Sequence, residues 1–376
     1  MNGREDTMPA SVTIELHPSL FGEGRRLVAE SGKLRAAAFR YATGVAALVV
    51  ENGVGTATLL PFQGQQIWDA HFIGRRLTMH SMFEEPLPTR DYLATYGAFF
   101  IHCGGTAMGN PGPTDTHPLH GELPNMPYDT AQLTFGEDGD GAYMELTGMA
   151  HDALAFHHSF VARPRIRLRE GAAHFEVLME VENRSGRPMP FLYLGHINFR
   201  PVDGGVLVDA VSDDRTGIAV RQPDLPTDED DAVRAYHRAV ADDPASHRIL
   251  VPGVPVQPEL VLTMMPATGA DGWTHALQWH PSGTADFVSH RPVELPYAVR
   301  WLTRGPDQDA LGLVLPATAP PDGFAAAKAN RQLVWIAPYG TWRAEMHFGA
   351  LEVAAARSLR DIITSIRDRW TGAKTQ

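Results

Sequence analysis

Short runs of Val, Leu, Phe and Tyr, each closed by Gly, Pro, Asn or Asp, follow one another through most of this chain, and they restrict its fold more than any other feature. ALVVENG, TATLLPF, AYMELTGM, HHSFVARPRIRLRE, AHFEVLMEVEN, FLYLGHINF and ALGLVLPA are all of this kind. Strands in succession without intervening helices favour an antiparallel sandwich over βαβ units. In Ile166-Arg167-Leu168-Arg169 the polar positions stand two apart, and from His174 to Glu182 the alternation drifts toward burial on both faces. Arg169-Glu170-Gly171-Ala172 supplies the turn, so Val161 to Glu182 reads as a hairpin.

One helix is expected, at the C-terminus. From Glu352 to Trp370, Leu359, Ile362, Ile363, Ile366 and Trp370 recur at spacings of three and four, and this face is expected to pack on the sheet. Arg357, Arg360, Asp361, Arg367 and Asp368 occupy the other face. The acidic stretch from Pro223 to Arg248 reads as a long surface loop with at most a set of helical turns. No linker or repeat divides the chain. The expected organisation is a disordered tail over 1–12, one β domain over 13–350, and a packed helix over 351–376.

Composition narrows the function classes. A net charge of −12 would be repelled by nucleic acid and by anionic membrane, so neither is an expected partner. Cys103 is the only cysteine, which excludes an intrachain disulfide and a Cys-rich zinc knuckle and fits a reducing cytoplasmic location. The polar start MNGREDTMPA has no apolar core like that of a signal peptide, and no stretch approaches the roughly 20 apolar residues of a membrane span. Neither a Walker loop nor a strand-linked G-x-G-x-x-G is present.

Three polar clusters interrupt the apolar strands. His102-Cys103-Gly104-Gly105 is followed by Thr116-His117-Pro118-Leu119-His120-Gly121-Glu122-Leu123-Pro124-Asn125. Its histidines could ligate a metal, but no Cys pair or Glu-rich strand accompanies them, so no metal is expected. A metal-holding version would draw on His102, His117, His120 or His347. In Tyr193-Leu194-Gly195-His196-Ile197-Asn198 a histidine lies within an apolar strand, with Asn198 on the same face two residues later. Arg343, Glu345 and His347 share one face of a late strand, expected to be solvated.

Five blocks in order then resemble the aldose 1-epimerase (galactose mutarotase) superfamily, and most closely an uncharacterised bacterial aldose-1-epimerase-like branch. They are LLPFQGQQIWDAHFIGRRL, FFIHCGGTAMGNP, HPLHGELPNMP, VENRSGRPMPFLYLGHINFRPVDGG and LPYAVRWLTRGPDQDALGLVLPATAPPDG. The resemblance implies a mainly β fold, an antiparallel β-supersandwich with a sugar site on its concave face. It implies interconversion of sugar anomers, for which a proton must reach the ring oxygen and another must leave the anomeric hydroxyl. His196 falls at the proton-donating histidine and His120 at a histidine that binds the sugar. Asn198 and Asn125 match polar positions lining or supporting the site, and Asp69 follows the entry-strand motif. No cofactor is implied, and the expected partner is a small-molecule sugar, unphosphorylated because no dense cationic cluster is evident.

Two departures stand out. The branch carries a Gly-Leu-Glu-Pro-like motif whose Glu is the general base, whereas this chain has Gly312-Leu313-Val314-Leu315-Pro316, with Val314 at the expected position. The entry strand carries Gln63 in place of an arginine. Replacement bases considered are Glu122, Asp69, Asp203 and Glu345, with Glu122 favoured for its place beside His120. The alternative is a sugar-binding or sensing protein that has lost its base.

Overall fold

The computed structural model describes residues 11–212, 217–221 and 231–374, with side chains described as far as residue 370. Among them are two antiparallel sheets, one of nine strands and one of thirteen, packed face to face. The hairpin expected between Val161 and Glu182 forms with those two residues opposite each other, joining strands His158–Arg169 and His174–Asn183. Of the tail expected over residues 1–12, the first ten lie outside the described residues. Val12 already belongs to a strand, Val12–Glu15, paired with Thr130–Asp138.

Aromatic side chains from both sheets fill the space between them. Phe72, Phe99 and Phe100 come from the larger sheet and its border, Phe175 and Phe348 from the smaller, and all are fully buried. Ring centroids of Phe72 and Phe175 lie 5.5 Å apart, those of Phe100 and Phe348 5.0 Å. Each such side chain stabilises the sandwich by about 1.5–3 kcal/mol. Cys103 is buried within the strand Phe100–Gly105, and burial pushes its thiol pKa up.

An ion-pair network also ties the sheets together. Arg300, on the strand Tyr297–Arg304, donates to the Asp209 carboxylate at 2.9 Å, and Arg248 reaches the same oxygen at 2.9 Å. Asp209 closes the strand Val206–Asp209 of the smaller sheet. Arg300 also donates to His247 Nε2 at 2.7 Å and to the Leu313 carbonyl at 3.0 Å. Burial, with the neighbouring Arg300 charge, lowers the His247 pKa to about 3, so this imidazole is neutral and can accept.

The acidic segment departs from expectation. Residues 222–230 lie outside the described residues, but Asp231–Asp242 is a helix, α1, that buries Val233, His237 and Val240. Three buried positions at helical spacing override the acidic composition that read as loop. A one-turn helix, α2, spans Phe324–Ala329. The last helix, α3, spans Val353–Lys374 and packs Ala356, Ile363 and Ile366 against Leu277, Ala285 and Phe287. Ile362 and Trp370, assigned to the packed face from spacing, are instead about half exposed, because the buried stripe runs through Ala356. No described helix is long and apolar enough to cross a membrane.

Candidate active site

Four adjacent strands of the larger sheet form the floor of a cleft of about 600 Å³, counting its open mouth. In spatial order they are Met189–Ile197, Asp309–Ala317, Tyr297–Arg304 and Val256–Met264. They contribute Leu194 and His196, Leu315, Val299 and Trp301, and Glu259 and Val261 respectively. Val299 and Trp301 share the cleft face by the two-residue period, which turns Arg300 toward the space between the sheets.

The ring of His196 is nearly enclosed, with His120 and Trp301 centroids each 5.5 Å away and Tyr96 at 5.7 Å. Burial lowers its pKa to about 4, against a smaller opposing effect of the Asn198 hydrogen bond. That bond joins His196 Nδ1 and Asn198 Oδ1 at 2.8 Å. Asn198 Oδ1 also accepts from the Tyr96 hydroxyl at 3.1 Å, while Asn198 Nδ2 donates to the Ala98 carbonyl at 2.9 Å.

His120 reaches the cleft from a loop pinned to the strand Phe100–Gly105. Gly104 N–H donates to the His120 carbonyl at 2.7 Å, and Leu123 N–H donates to the Gly104 carbonyl at 3.0 Å. Gly121 has φ +80, and a Cβ there would lie 2.2 Å from the Ala107 carbonyl oxygen, so only glycine lets the loop approach this closely. The His120 ring rests 4.8 Å from Tyr92 and perpendicular to His196. Burial, then the neighbouring His196 and Arg221, holds its pKa well below the usual histidine value. Both imidazoles are therefore neutral near pH 7.

Glu259 supplies a carboxylate that sequence reasoning missed. It accepts from Trp301 Nε1 at 2.6 Å. Pairing between its strand and Tyr297–Arg304 slips between Val256 and Leu260, a bulge that re-aims side chains at Glu259. His237 of α1 donates from Nε2 to the Pro258 carbonyl at 3.0 Å and so backs this segment from behind. A glutamate opening the apolar run Leu260-Val261-Leu262 was the available signal. Arg221, also unforeseen, bonds through its backbone N–H to the Val261 carbonyl at 3.0 Å beside the Glu259 strand, and its guanidinium donates to the Pro321 carbonyl at 3.0 Å and to the Asp322 carboxylate.

The other expected site residues lie outside the cleft. Gln63 donates to the Leu87 carbonyl at 3.0 Å, and Asn125 donates to the Asp91 carbonyl at 3.3 Å. Together they hold the chain that leads into Tyr92, a supporting role. Asp69 faces away, paired with Arg76 at 2.9 Å and His71 at 3.2 Å. Both Glu122 carboxylate oxygens are taken by Thr106, through its N–H and its hydroxyl. Asp203 pairs with Arg304, and Glu345 with His347 on the smaller sheet. None of these four carboxylates lines the cleft.

Val314 lines a separate small cavity with Asp209 and His290, whereas its neighbour Leu315 faces the cleft. Pairing slips opposite Arg300, where Val299 faces Leu315 but Trp301 faces Gly312, and this extra residue shifts the register read from the motif. Among the described residues, no three His, Cys, Asp or Glu side chains are grouped to hold a metal ion.

Residues 42–350 match the model of a family described as a domain of unknown function, DUF4432. No curated protein matches. Among solved structures, one from Klebsiella pneumoniae, proposed there to be an aldose 1-epimerase, superposes with a TM-score of 0.80 at 14% identity, covering 95% of this chain and 96% of that one. A galactose mutarotase-like protein from Clostridium acetobutylicum gives 0.58 at 15% identity over 85% and 98% of the two chains. A galactose 1-epimerase from Lactobacillus acidophilus gives 0.52 at 11% identity over 91% and 99%. At these identities the likeness establishes a galactose mutarotase-like fold.

Proposed function

The chain belongs to the DUF4432 family and has a galactose mutarotase-like fold, and we propose that it is an aldose 1-epimerase-like isomerase that interconverts the anomers of a small sugar by proton transfer. One observation carries this reading. His196, held from behind by Asn198, leaves Nε2 without a partner among the described residues, in a cleft that also holds a second neutral imidazole and a carboxylate.

Anomers exchange by opening the ring to the aldehyde and closing it on the other face. The anomeric hydroxyl loses a proton, the bond between C1 and the ring oxygen breaks, and that oxygen gains a proton. A placed acid–base group contributes about 10²–10⁴-fold to such a step. His196 is the group that exchanges the proton. Glu259, bonded to Trp301 Nε1 in the cleft wall, is placed to accept from a sugar hydroxyl. Trp301 and Tyr92 offer ring faces to the C–H surface of a pyranose, while His120 and Arg221 reach hydroxyls at the rim. The binding-only alternative rested on a lost carboxylate, and Glu259 restores one to the cleft.

The test is anomer exchange followed by NMR across a panel of aldoses, above the rate in buffer alone. Exchange that disappears in His196→Ala supports the reading. No exchange on any sugar overturns it.

A further inference from the structure

The hydrogen bonds behind His196 fix which of its nitrogens carries the proton. Asn198 Nδ2 donates to the Ala98 carbonyl, which can only accept, so the amide cannot be turned the other way. Asn198 Oδ1 therefore faces His196, and it also takes the Tyr96 hydroxyl proton. An oxygen that can only accept requires a donor, so His196 Nδ1 carries hydrogen. In the neutral ring, Nε2 then presents a lone pair to the cleft.

We propose that Asn198 is a positioning residue that locks His196 as a proton acceptor toward the cleft, so the first transfer runs from the anomeric hydroxyl to Nε2, the reverse of donation from a histidine acid. This deepens the isomerase reading and rests on it. The electron pair of the anomeric O–H bond becomes the π bond of the aldehyde. The pair of the bond between C1 and the ring oxygen passes to that oxygen, which takes the proton back from the imidazolium Nε2. The ring returns to its neutral state with no further reactant, and closure on the other face retraces these steps.

The surroundings agree with an acceptor. Titratable and charged groups about His196 are the neutral His120, Arg221 across the cleft, Glu259 beyond Trp301, and the Tyr92 and Tyr96 phenols, with the Cys103 thiol behind them. Burial drives both phenols well above their ordinary pKa, so near pH 7 they stay neutral. Glu259 is the carboxylate of this set, separated from His196 by the Trp301 ring.

Two measurements test the proposal. Long-range proton–nitrogen NMR on protein carrying ¹⁵N-histidine, with His196→Gln for assignment, should give the Nδ1–H pattern for His196 at pH 7. An Nε2–H pattern or an imidazolium there overturns it, whatever the activity. Sugar exchange should be flat between pH 6 and 8 and fall on acidification. Asn198→Asp, which keeps an acceptor but adds charge, should move that acid limb up by about one to three pH units. Asn198→Leu should lose the single tautomer and lower kcat by ~10²-fold with KM little changed. Exchange that speeds up on acidification means an imidazolium acid and overturns the proposal. Absence of exchange on every sugar overturns the isomerase reading and the transfer with it, and the NMR pattern then reports on the tautomer alone.

Discussion

The Trp301 indole donates Nε1–H to the Glu259 carboxylate at 2.6 Å while its ring stands 5.5 Å from His196. One side chain thus spaces the cleft's carboxylate from its most enclosed imidazole. Glu259→Ala should slow sugar exchange by about 10²-fold, and Glu259→Gln, which keeps an acceptor for Trp301, should slow it less. NMR exchange rates for the two variants decide this. Wild-type rates in both would leave Glu259 with no part in the chemistry.

Strand patterning was readable in the sequence, whereas the four-strand floor of the cleft was not. Period-two patterning set the hairpin from Val161 to Glu182, because strand faces alternate wherever one face is buried. The same rule joined His196 to Asn198. Motif alignment put Val314 at the expected base position, but beside the slip opposite Arg300 it is Leu315 that lines the cleft, and the slip before Leu260 concealed Glu259. Composition also misled, since α1 is held by three buried side chains within an acidic stretch. Asp69, Glu122, Gln63 and Asn125 were polar residues near motif histidines. Only the folded chain reveals that each already serves a local partner.

Acid should destabilise the protein steeply. Burial lowers the folded pKa of His102, His247 and His290 to about 3 and of His196 to about 4, against roughly 6.5 in an unfolded chain. Between those limits the unfolded state binds more protons, so stability rises with pH and is lost as pH falls below about 6.5. Each group adds at most about 1.4 kcal/mol per pH unit. His158, raised by its bond to Asp152, works in the opposite direction. Urea unfolding at pH 7, 6 and 5 measures the slope, and equal stability at pH 7 and pH 5 would contradict the expectation.

Removing the shared anion beneath the cleft should be costly. Asp209→Ala takes from the fully buried Arg300 the carboxylate it pairs with, a loss of about 3–5 kcal/mol. Chemical denaturation reads it directly. A change under about 1 kcal/mol, well short of the ordinary cost of an unpaired buried charge, would mean that the sheets are held together without this tie.

Placement of His120 should depend on a missing side chain. Gly121→Ala puts a methyl against the Ala107 and Gly104 carbonyls at φ +80, with strain on the order of 1–3 kcal/mol. The loop must lift, so sugar affinity measured by calorimetry should fall while the far-ultraviolet spectrum stays that of the wild type. Unchanged affinity would place His120 outside recognition.

Cys103, the only thiol of the chain, lies fully buried in the strand whose Gly104 grips the His120 loop. A thiol-specific reagent therefore records a single event, the parting of that strand from its cover. Labelling rates across a urea series would separate breathing of the cleft from global unfolding, because only the latter follows the full denaturant dependence. A sugar that binds should slow the labelling in proportion to its occupancy, so the native chain carries its own occupancy gauge without any engineered probe.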